Sequence, residues 1–92
     1  MDAEQLDREL DRAFDGTAAQ RRVVVRQARD LADTGKIASD RGRPLTAEMV
    51  VRELADAPAD ASLPERWNWW MGALDVAYGG YEPFQVRRYP SE

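Results

Sequence analysis

At 92 residues, with neither cysteine nor histidine, the chain fits one domain and excludes disulfides, thiolate metal sites, thiol nucleophiles and the commonest general base. Acidic residues outnumber basic ones 17 to 13, for a net charge of −4, and no stretch approaches the ~18 apolar residues that a membrane span needs. The N-terminus opens acidic rather than basic-then-apolar, so the expectation is a cytoplasmic protein, neither exported nor membrane-inserted.

Four segments carry helical periodicity. The first, about 2–15, opens with Asp2 and Gln5 at capping-box spacing and aligns Ala3, Leu6, Leu10, Ala13 and Phe14 on one stripe. Gly16 and its neighbours leave room only for a tight connection, so the second helix, about 17–34, should run back antiparallel to the first. Thr17 and Gln20 cap its start, Val24, Ala28 and Leu31 point inward, and Gly35 ends it in the left-handed conformation. "KIASDRGRPL" reads as a connection, because Gly42 and Pro44 forbid a continuous helix through it. Thr46 caps the third helix, about 46–57, which buries Val50, Leu54 and Ala57. Ser62, Glu65 and Pro64 open the fourth, about 62–78, and Gly79 with Gly80 close it. What remains is an aromatic and basic tail, residues 81–92, with weak strand character over 84–88. These elements predict an all-α protein: a small four-helix bundle over residues 1–80, with an extended C-terminal tail packed on it or semi-ordered.

Ten of the acids are Asp and twelve of the thirteen bases are Arg. Such a balance resembles the cytoplasmic proteins of extreme halophiles, whose acidic surfaces stay hydrated in concentrated salt; a GC-rich genome would also replace Lys with Arg. On the halophile reading, stability should fall on transfer to dilute buffer.

Three tryptophans lie within four positions of the fourth helix, in the stretch "WNWW". At 100° per residue, Leu63, Trp67, Trp70, Met71, Leu74 and Tyr78 share a broad face, which is the expected core side. Trp69 falls about 160° from Trp67 and cannot share it. The tail folding over Trp69, Arg66 stacking on its indole, a helix covered on both sides, and simple exposure are all internal accounts of that position. Alternatively the residue meets a partner, since indoles favour surfaces where one side of the ring is dry and the nitrogen is wet. The candidates for a protein-partner or self-association surface are therefore Trp69, Val76, Arg66, Tyr81, Phe84 and Tyr89.

Charge is striped along the chain: −4 over residues 1–15, +4 over 16–43, −5 over 44–82 and +1 over the last ten. Arg22, Arg26 and Arg29 follow one another on one face of the second helix, Arg21 stands beside the apolar stripe, and Arg41 and Arg43 follow in the connection. This set is the basis of an alternative reading, a nucleic-acid binder gripping phosphates. Against it, the acidic first helix lies alongside, and the third helix is too acidic and too far along the chain to serve as a recognition helix. Asp7 and Asp11 share a helical face, the minimum for a carboxylate pair, yet no acid, base and nucleophile roles can be filled around them. The sequence thus predicts a non-enzymatic protein with no cofactor and no metal, acting through a partner.

Overall fold

Each long helix begins where a side chain takes up the orphaned amides of its first turn. The computed structural model describes residues 1–88. Its helices are α1, Ala3–Ala13; α2, Ala18–Thr34; α3, Lys36–Arg41; α4, Ala47–Ala55; and α5, Leu63–Tyr78, followed by a 3-10 turn at Glu82–Phe84. Full capping boxes form at Thr17 with Gln20 and at Ser62 with Glu65, and Thr46 accepts the Met49 amide. At α1 only half of the expected box is present. Asp2 accepts the Glu4 and Gln5 amides through one carboxylate oxygen, and the Gln5 side chain remains exposed instead of reaching back.

The fold is an all-α bundle with no strand among the described residues. α1 packs on α2 and α4, and α5 packs on the same two, so the four long helices close around one core. Leu6 and Leu10, then Val24, Ala28 and Leu31, then Val50 and Leu54, then Trp67, Trp70 and Met71 fill it from the four sides. None of the described helices is long and apolar enough to cross a membrane.

Two departures from the expected layout matter for the site. The segment after Gly35 is not a plain connection. Gly35, at φ 73°, ends α2, but the chain then re-enters a helix for the six residues of α3 before Gly42, at φ 79°, stops it. The Thr34 hydroxyl stabilises this corner by donating to the Leu31 carbonyl and accepting the Lys36 amide. Ile37, fully buried, anchors α3 to the bundle. The second departure is at the far end, where the tail over 84–88 forms no strand. It runs as a 3-10 turn and then an extended segment held by side chains of α5, with Val86 buried.

Candidate functional site

Residues 67–70 occupy about one turn of α5 and divide their labour by helical angle. Trp67 and Trp70 point inward, are almost wholly buried, and meet edge to face with ring centres 5.6 Å apart. The Trp67 indole N–H donates to the Phe84 carbonyl at 2.8 Å, so burying it leaves no unmet donor. Asn68, one step round the helix, grips Val86 at both backbone groups: its amide donates to the Val86 carbonyl at 2.8 Å and its carbonyl accepts the Val86 amide at 2.7 Å. The tail is therefore clasped by Trp67 and Asn68, and it passes Trp69 by.

Trp69 is 40% exposed, and its indole N–H donates to no described residue. One edge of the ring borders a shallow notch of about 400 Å³ formed with Pro58, Asp60, Ala61 and Glu65. Ala73 and Val76, four and seven residues on, continue the same side of the helix, and Val76 is 90% exposed. Gly72 lies at the margin of this stripe. A methyl group built on it would meet nothing within 4 Å, so no internal packing requires a glycine there. The outer face of α5 is thus an apolar stripe with carboxylates beside its tryptophan.

The other partner candidates separate from it. Arg66 does not stack on Trp69. Its guanidinium donates to the Leu54 carbonyl at 2.9 Å and the Ala59 carbonyl at 3.3 Å and lies 4.9 Å from the centre of the Phe14 ring. It thereby adds a charged donor to a carbonyl that already accepts the Ala57 amide at the C-terminus of α4, and ties α5 to the end of α1 and to the loop after α4. Phe84 is half-buried against the core, and Tyr89 lies outside the described residues.

Tyr78 and Tyr81 exchange their expected places. Tyr78, assigned to the inner face, is 48% exposed, and Tyr81, a candidate for the partner surface, is fully buried. Two consecutive residues of positive φ, Gly79 at 79° and Gly80 at 84°, reverse the chain and turn Tyr81 back into the bundle. Asp75 accepts the Tyr81 amide at 2.9 Å, which fixes the reversal. The Tyr81 hydroxyl donates to Asp40 on α3 at 2.8 Å, and Lys36 both pairs with Asp40 at 3.2 Å and sits 4.7 Å over the Tyr81 ring. Burial, followed by the hydrogen bond to Asp40, pushes the Tyr81 phenol well above its ordinary value. The same hydrogen bond, followed by Lys36, holds Asp40 below the usual carboxylate range. Sequence periodicity offered no sign of this link between α3 and the tail.

Of the six arginines on which the nucleic-acid reading stood, two are occupied. Arg21 donates to Asp7 and Asp11, each at 3.1 Å, so the carboxylate pair of α1 serves to hold a guanidinium. Arg41 pairs with Glu53 at 3.3 Å. Arg22, Arg26, Arg29 and Arg43 are exposed and make no ion pair among the described residues. No group of three or more His, Cys, Asp or Glu side chains among the described residues is placed to hold a metal ion.

A family model described as the WNWW domain matches residues 1–75, from α1 through most of α5, and the four letters of that description stand at 67–70 in this chain. No curated protein and no solved structure matches the sequence.

Proposed function

The chain belongs to the WNWW domain family, and from that premise we propose a non-enzymatic module that works in the cytoplasm and binds a protein partner through the outer face of α5. One observation carries the reading. Of the four residues Trp67, Asn68, Trp69 and Trp70, three have internal partners or core positions, and Trp69 alone has neither. A tryptophan offers more apolar contact area than any other side chain and is enriched among the residues that dominate binding energy. Val76 extends the same surface by two turns. The arginine-based reading has less behind it, because Arg21 and Arg41 are already committed to carboxylates.

The test is a photo-crosslinking residue placed at position 69 and, as a control, at exposed Arg52 on α4. The expected result is a protein adduct from position 69 that is absent from position 52 and is lost when Val76 is changed to Glu. Equal labelling from both positions, or none from 69, overturns the proposal.

A further inference from the structure

Two surfaces of this chain carry opposite charge around apolar centres of similar length. The first is the outer face of α5, where Trp69, Ala73 and Val76 form an exposed stripe with Asp60 and Glu65 beside its Trp69 end. Asp60 has no partner among the described residues, and Glu65 accepts only the Ser62 amide. The second lies along α1 and α2. A groove of about 460 Å³ is lined by Ala3, Ala18 and Val25, with Arg8 and Arg22 and the acids Glu4 and Asp7 also bordering it. It shares Arg22 and Val25 with an adjoining depression of about 410 Å³, which adds Arg26 and Arg29. None of these four arginines makes an ion pair or hydrogen bond among the described residues.

Trp69 to Val76 and Ala18 to Val25 each span seven residues, a rise of about 10.5 Å along their helices. Two copies of the α5 face brought together would oppose carboxylates, and two copies of the α2 face would oppose arginines. Only the unlike pairing joins apolar stripe to apolar groove and brings Asp60 and Glu65 to arginines that have no ion-pair partner among the described residues. A phosphate backbone laid on α2 would leave the apolar lining of the groove unfilled. We infer that the partner of the α5 face is the α1–α2 groove of a second copy of this chain. Because the two patches differ, the association is head-to-tail and builds rings or open chains rather than a symmetric pair. The inference rests on the α5 docking reading and adds the identity of the occupant.

The experiment is sedimentation of the full chain at about 0.15 M salt, where the screening length is ~8 Å, with circular dichroism to verify that the helices are intact. Wild type should sediment above the mass of one chain in a concentration-dependent way. Arg26→Glu and Asp60→Arg should each weaken association about tenfold or more. An equimolar mixture of the two variants should restore it, since each then supplies the charge that the other has lost. Trp69→Ala should also weaken association, with the fold retained. A wild type that remains a single chain up to about millimolar concentration, or a mixture that fails to rescue, overturns the inference. A monomer that still gives the position-69 adduct with a different protein keeps the docking face and removes self-association alone. Salt-sensitive binding of an oligonucleotide by the monomer, lost in Arg26→Glu, assigns the arginines to nucleic acid and likewise removes it.

Discussion

Trp67 and Trp69 are the same residue type, two positions apart on one helix, in opposite environments. Trp67 is enclosed by the core, donates its indole N–H to the Phe84 carbonyl and meets Trp70 edge to face. Trp69 has a notch on one side and water on the other. Helical angle alone separates them, so the stretch 67–70 is a divider: its inner members and Asn68 hold the domain and its tail together, and its outer member faces outward.

The largest test of that contrast is stability. Trp67→Ala should lose about 3–5 kcal/mol, as removal of a buried indole does, against a total of about 5–15 kcal/mol for a small domain. Trp69→Ala should stay within about 1 kcal/mol of wild type. Urea denaturation followed by circular dichroism reads both. Equal losses would place Trp69 in the core and dissolve the distinction.

Asn68 comes next. Asn68→Ala removes both hydrogen bonds to the Val86 backbone and leaves a buried residue's amide and carbonyl without them. A cost of about 1–3 kcal/mol follows. Limited proteolysis should then cut first after residue 80, before the bundle itself opens. If the tail stays as resistant as in wild type, Asn68 is not its clasp.

How far could residues alone reveal this arrangement? Helix starts were readable because a capping box is local: Ser62 and Glu65, three positions apart, satisfy each other's backbone amides whatever the rest of the chain does. The core faces of α1, α2, α4 and α5 were readable because they repeat, apart from Ala13 and Tyr78 at the helix ends, which are exposed. α3 was not, since a single buried side chain, Ile37, makes no pattern. The exchange of Tyr78 and Tyr81 was hidden for a different reason: Gly79 and Gly80 announce a stop, but the direction in which the chain leaves depends on Asp75 and on Asp40 of α3, 41 positions before Tyr81. Arg66 is similar, because its ring partner is Phe14, the residue that caps the end of α1. The Trp69 stripe was legible as an angle, and its exposure became visible only once the tail was found clasped to Asn68.

The Tyr81 link gives a smaller effect with a distinctive pH signature. Tyr81→Phe removes its hydrogen bond to Asp40 and should cost about 1 kcal/mol at neutral pH. The folded phenol titrates above its unfolded value, so its contribution is complete below about pH 10 and is lost as pH rises from there toward the folded value. Asp40 has the opposite sign. Its folded value is depressed, so its contribution is present above the ordinary carboxylate range and is lost as pH falls through the folded value. Midpoints measured across pH should therefore fall at both extremes in wild type, with the alkaline fall reduced in Tyr81→Phe. An identical alkaline limb in the two proteins would show that the Asp40 contact contributes nothing.

The smallest change separates the two faces of α5 most cleanly. Gly72 is helical, lies beside Trp69 and Ala73, and has open space where a methyl group would go. In a helix interior, glycine costs about 0.8–1.0 kcal/mol relative to alanine. Gly72→Ala should therefore stabilise the isolated chain by up to about that amount, raising the denaturation midpoint. If the bare backbone at 72 exists so that another surface can approach α5 closely, the same methyl group should weaken association while the fold gains. A variant that is both more stable and equally associated would mean that the outer stripe meets its partner elsewhere, nearer to Val76 than to the backbone beside Trp69.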